Sequence, residues 1–221
     1  VRGASGFVGA GFNPPSILSY QQTFSSQIVH HNPRTLMPLT QLDPIAALIV
    51  IDLQKGIVSI PAAHPMTEII DRNAHLAAAF RRRNLPVVLV NVNPSTAAGR
   101  TDFVRPKMSL PSDWADLVPQ LDVKPTDHLV TKHHPGAFIG TDLDAYLRSR
   151  NVTQVFITGV STTVGVESTA RSAYDHGYNV VLVTDAMTDR SAENHRHAIE
   201  SIFPRIAELC TTAEALQALA P

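Results

Sequence analysis

The chain has 221 residues, 44% hydrophobic and 17% charged, which suits one domain of ordinary size with a substantial core. A formal net charge of -1 leaves no basic footprint for nucleic acid or a membrane surface, and no apolar run approaches the roughly 20 residues that cross a bilayer, so neither partner is expected. The one cysteine, Cys210, excludes an internal disulfide framework and suits a reducing compartment, from which a cytoplasmic location is expected.

Residues 1–43 lack sustained periodicity and are rich in Ser, Gln, His and Pro, and we read them as an extended arm leading into a domain over 44–221. The chain begins at Val1 rather than at a methionine, so no targeting signal is read from that end. The arm carries Gly3-Ala-Ser-Gly6-Phe-Val-Gly9, the glycine spacing of a dinucleotide-binding turn. Such a turn follows a buried strand and opens a helix. Only Val1 and Arg2 precede it, and Asn13-Pro14-Pro15 stops a long helix soon after, so no dinucleotide cofactor is expected.

From Pro44 the pattern alternates between strand and helix. Apolar runs at 46–51, 87–92, 128–131, 155–158 and 180–184 predict strands buried on both faces. Ile69, Asn73, Leu76, Ala77 and Phe80 share one face of a helix that Asn84 and Pro86 end. Residues 93–124 form a long proline-rich stretch, expected to cover the mouth of a site with help from a neighbouring subunit. Leu143, Tyr146 and Leu147 line a short helix started by Thr141 or Asp142, and Val166, Ala170, Ala173 and Gly177 line the next. A weak strand at 206–210 and a helix over 213–219 close the series. Repeated β-α units with right-handed crossovers predict a parallel sheet covered on both faces.

The segment from Gly159 through Ser161, Thr162, Thr163 and Gly165 to Arg171 follows one buried run and opens a helix, an arrangement that points backbone N–H groups at an anion or a developing oxyanion. It resembles the nucleophile turn of the isochorismatase-like cysteine hydrolases, with Gly165 at the cysteine position. Ile45–Gln54 looks like that family's first strand, ending in its catalytic aspartate at Asp52. The run from His128 to Lys132, with 136–143 after it, looks like the strand that delivers its lysine. Val180–Ala186 is similar to its fifth strand, so the likeness covers roughly residues 44 to 219. The resemblance implies a Rossmann-like three-layer α/β/α fold around a six-stranded parallel sheet. It also implies a homo-oligomer, dimer or tetramer, that acts on a small molecule.

Asp52 ends an apolar run and therefore needs a partner, for which Lys132 is the candidate; a purely structural ion pair is the alternative. The resemblance makes Asp52, Lys132 and position 165 the catalytic set. The same resemblance implies that Val160, Ser161 and Gly165 form the oxyanion turn, with a cis peptide at Val160–Ser161. Phe138, Thr162 and Arg100 are candidate substrate contacts, although packing would also explain Phe138 and a solvated loop would explain Arg100. His133 and His134 are either surface histidines or contacts. No metal is expected: His64 has no partner at ligand spacing, and His195 and His197 do not share a helix face. Cys210 is read as a small buried apolar residue.

Glycine cannot attack a carbonyl. The family's isochorismatases also carry glycine there and hydrolyse a vinyl ether to pyruvate and a dihydrodiol without an acyl-enzyme. The expectation is therefore an isochorismatase-type hydrolase that works through an Asp/Lys pair on a small carboxylated substrate. The alternatives are a catalytically silent member that binds small carboxylates, and an amidase that uses a threonine or an activated water.

Overall fold

Six strands form one sheet in the order β3-β2-β1-β4-β5-β6, with every neighbouring pair parallel. They are β1 (Ala46–Ile51), β2 (Val87–Val92), β3 (His128–Lys132), β4 (Gln154–Val160), β5 (Asn179–Thr188) and β6 (Glu208–Cys210). The structure, a computed structural model, describes residues 39–93, 102 and 110–220. The glycine-rich segment near residue 3, most of the expected arm and much of the 93–124 stretch lie outside these residues. Among them no helix is long and apolar enough to cross a membrane.

β1 and β4 are buried along their whole length, which is why they read as unbroken apolar runs instead of alternating ones. The helices are α1 (Lys55–Val58), α2 (Met66–Arg82), α3 (Leu143–Ser149), α4 (Glu167–Asp175), α5 (Ala192–His197) and α6 (Thr212–Ala218). Ala47, Ile49 and Ile51 of β1 join a core with Leu143 and Leu147 of α3 and Ala170 and Ala173 of α4. Ala46, Leu48 and Val50 join a second core with Ile69, Leu76 and Phe80 of α2 and Ala215 of α6. Alternate side chains of one strand thus feed two cores, the three-layer arrangement expected. Each fully buried Leu, Ile or Phe contributes about 1.5–3 kcal/mol.

Local chemistry fixes the element ends. Asn84 takes a left-handed conformation (φ 55°) after α2, while Leu85 N donates to Phe80 O and Asn84 N to Arg81 O, a Schellman closure. Thr211 and Glu214 form a reciprocal capping box at the start of α6.

Three strands depart from expectation. β3 was expected to be buried on both faces, but it is an edge strand with one neighbour, and Leu129 is 58% exposed. β5 runs on to Thr188 because its register with β4 jumps from Ile157↔Leu182 to Gly159↔Met187, which bulges out the residues between. That bulge is pinned by Asp185, which accepts from Thr212 N and Oγ1, and by Asn73 Nδ2, which donates to Ala186 O. β6 starts late because Ile206 N and Ala207 N both bond to Phe203 O, closing a turn where a strand was expected.

The expected domain boundary fell at residue 44. Asp43 N donates to Gln154 Oε1, Gln154 Nε2 donates to Gln41 O, and Thr40 bonds the Glu208 carboxylate, so residues 40–43 are already tied to the sheet.

Candidate active site

In the order 3-2-1-4-5-6, chain connections leave β1 and β4 in opposite directions, and ligands collect in the crevice at the carboxyl ends of such a pair. Asp52 follows β1 at that point in a left-handed conformation (φ 52°), a strained state for a non-glycine residue. Beside it Gly159 of β4 has φ 107°, and a Cβ there would stand 2.0 Å from Ile51 O. Only glycine lets β4 come this close to β1 at the crevice.

Lys132 reaches the same place from the end of β3. Its Nζ lies 2.9 Å from Asp52 Oδ2 and donates to Pro135 O at 2.7 Å. Lys132 is 1% exposed and Asp52 6% exposed. Asp52 Oδ1 is buried and has no hydrogen-bond partner among the described residues. Burial is the largest influence on this carboxyl and raises its pKa from 3.8 to about 6, against the opposing pull of Lys132. A buried acid with one unpaired oxygen can hold a proton for delivery near neutral pH.

The signature turn supplies the third side. Val160–Ser161 is a cis peptide, as the resemblance implied, and a π-helical turn over Thr162–Val166 follows. Ser161 O accepts from Val164 N and Val166 N. Thr169 Oγ1 donates to Gly165 O and accepts from Ala137 N, joining the turn to the loop after β3. A Cβ on Gly165 would lie 3.2 Å from Lys132 Nζ and 2.8 Å from Ile51 Cγ2. Asp52, Lys132 and Gly165, spread over more than a hundred residues of sequence, thus converge.

The other expected contacts fare differently. Thr162 is wholly buried, and its hydroxyl sits 2.8 Å from His195 Nδ1, so that partnership occupies the group expected to meet substrate. Phe138 is 8% exposed and stacks on His176 with ring centroids 5.1 Å apart. His133 Nδ1 bonds Asn93 O and His134 is exposed. Arg100 lies outside the described residues.

Sequence reasoning missed that His64 and His195 pack against each other. Their rings meet edge-on at 4.7 Å and help line a cavity of about 240 Å³ with Arg72 and Met187. No local spacing signals this pair, because one histidine precedes α2 and the other lies in α5. Among the described residues no group of three or more His, Cys, Asp or Glu is gathered to hold a metal. A wider cavity of about 460 Å³, lined by Asp43, Gln154, Tyr178 and Glu208, lies at the opposite ends of the strands, so cavity size does not mark the Asp52–Lys132 site.

An open six-stranded parallel sheet covered on both faces, with a buried acid–lysine pair at its switch point, is an isochorismatase-like α/β scaffold. The isochorismatase domain model matches residues 46–214, and the chain belongs to that family, whose members are hydrolases. It is 39% identical over 180 residues to the isochorismatase family protein YwoC of Bacillus subtilis (strain 168), covering 77% of this chain and 92% of the relative. It is 28% identical over 212 residues to the isochorismatase of the same organism, covering 93% of this chain and 66% of that protein. Among solved structures, an isochorismatase family protein from Burkholderia thailandensis superposes with a TM-score of 0.78 at 41% identity, covering 83% of this chain and 98% of that one.

Proposed function

We propose that the protein is an isochorismatase-type hydrolase that cleaves an isochorismate-like vinyl ether, on a small carboxylated substrate, to pyruvate and a dihydrodiol. The observation that carries this reading is a protonatable Asp52 paired with Lys132 directly beside a residue, Gly165, that has no side chain to act as nucleophile. A side chain at 165 would press on the pair, because its Cβ would stand 3.2 Å from Lys132 Nζ and 2.8 Å from Ile51 Cγ2.

Asp52 starts protonated and delivers its proton to the terminal methylene carbon of the enolpyruvyl group. The vinyl ether becomes an oxocarbenium ion, and the Asp52 carboxylate formed in that step is balanced by Lys132. Water adds to the cationic carbon and loses a proton, which returns to Asp52. The resulting hemiketal collapses, breaking the ether C–O bond, to pyruvate and the diol. No covalent enzyme intermediate forms, so no thiol is needed. The turn amides near Ser161 and Gly165 are suited to the substrate carboxylate.

Purified protein incubated with isochorismate should release pyruvate, followed by a lactate dehydrogenase-coupled assay, at a rate that Asp52→Ala abolishes. Equal rates for the two proteins would remove the reading. Saturable binding of small carboxylates without turnover would instead make the chain a silent member of the family.

A further inference from the structure

His195 is the buried histidine for which the proposed chemistry has no role. Its Nδ1 lies 2.8 Å from Thr162 Oγ1, and its ring rests against His64, whose own Nδ1 is 2.9 Å from Thr188 Oγ1. In the same connection Asp189 Oδ2 accepts from both Thr163 N and Thr163 Oγ1 at 2.8 Å. Asp189 is itself fixed, because its Oδ1 accepts from Arg190 N and its backbone O accepts from Ala63 N. The first two residues of the turn that carries Gly165 are therefore both gripped from the β5–α5 side.

We propose that His195 is a positioning residue for the active site: by holding the Thr162 hydroxyl it sets where residue 165 stands relative to Lys132 and Asp52. This rests on reading the turn as part of that site. Thr162 is wholly buried, so its hydroxyl must find a partner inside the protein, and the imidazole is the one present. Burial, and then the neighbouring His64, hold the His195 pKa below its ordinary value, so the ring stays neutral and pairs with a hydroxyl without burying a charge. An apolar residue at 195 leaves the hydroxyl orphaned, and the turn must shift to relieve it. His64 and Thr188 brace the ring from behind.

The test uses a reporter that needs no substrate. In Gly165→Cys the new Cβ stands 3.2 Å from Lys132 Nζ and 2.8 Å from Ile51 Cγ2, so the Ile51 side chain must give way, and the thiol pKa then reads the distance between turn and lysine. Iodoacetamide rates against pH give that pKa in Gly165→Cys alone and combined with His195→Ala, His195→Gln or Thr162→Val. The single variant should show a depressed thiol pKa. His195→Ala and Thr162→Val should return it towards an ordinary thiol and slow alkylation at neutral pH by up to about tenfold. His195→Gln, whose amide can still bond Thr162, should restore most of the rate. An unmoved thiol pKa in both His195→Ala and Thr162→Val, even with lowered melting temperatures, makes His195 merely structural and overturns the proposal. So does a failure of His195→Gln to rescue. If His195→Ala does not fold, the contrast between His195→Gln and Thr162→Val decides. An ordinary thiol in the single variant removes this inference and the active-site reading of the turn together. Absence of vinyl-ether hydrolysis alone leaves the inference standing.

Discussion

Lys132 Nζ sits 2.9 Å from Asp52 Oδ2, yet the carboxyl it neutralises titrates high, near about 6. The two side chains come from β1 and β3, with β2 between them, so the pair spans three strands of the sheet. Desolvation of this buried carboxyl, whose Oδ1 has no partner among the described residues, outweighs the ion pair.

That balance gives the pH–rate profile a sign that separates the two chemistries. An acid must carry its proton, so kcat/KM for a vinyl ether should be level below pH about 6 and fall about tenfold per pH unit above it. An amidase that uses the Asp52 carboxylate as base should instead gain activity through the same range. Initial rates between pH 4.5 and 8 distinguish them, and a flat profile would deny Asp52 either role.

Stability should follow the same carboxyl. The folded-state pKa of Asp52 lies above its ordinary 3.8, so the protonated form favours the fold. This contribution is complete below pH 3.8 and is lost as pH rises through about 6, a change of about 3 kcal/mol. Asp52→Asn cannot titrate. Urea denaturation at pH 4 and pH 7 should show the wild type losing roughly that much more than the variant over the interval. Equal losses would mean that Asp52 titrates normally.

Gly165→Cys should be alkylated rapidly and at one site at neutral pH. Its Cβ position is 3.2 Å from Lys132 Nζ, and the nearby helix start also favours a thiolate. The parent protein should react slowly, because Cys210 is fully buried and its thiol is pushed up to about 12, chiefly by burial. Mass spectrometry of timed quenches measures both rates. The same substitution should abolish vinyl-ether hydrolysis, since the added side chain, 2.8 Å from Ile51 Cγ2 and 3.2 Å from Lys132 Nζ at its Cβ, must displace the groups around the pair. Retained hydrolysis would show that the Asp52–Lys132 pair tolerates a side chain at 165.

We expect a homo-oligomer in solution. Leu129, Ile139 and Val164 are 58%, 54% and 51% exposed, and the last two lie in the loop after β3 and in the signature turn. Apolar side chains bordering a crevice are commonly covered by another copy. Light scattering at micromolar concentration should exceed the chain mass of 24.0 kDa, and a monomer mass would contradict this.

Sequence alone determined the elements whose signals are local. The runs in β1 and β4 are largely apolar on both faces because a central parallel strand has no solvent side. The face of α2 was legible because a helix brings Ile69, Asn73, Leu76 and Phe80 onto one stripe. Asp52, Lys132 and the turn at Gly165 were legible because each ends a strand, and strand ends of one parallel sheet gather at one edge. What depends on neighbours was not legible. β3 reads as buried, but among the described residues it is an edge strand with Leu129 58% exposed. The Thr162–His195 contact and the packing of His64 against His195 appear only once the fold brings α5 to the turn and to the segment before α2. Propensity and periodicity act within a few residues of chain, whereas burial, hydrogen-bond pairing and the rise of the Asp52 pKa arise only once distant segments exclude water together.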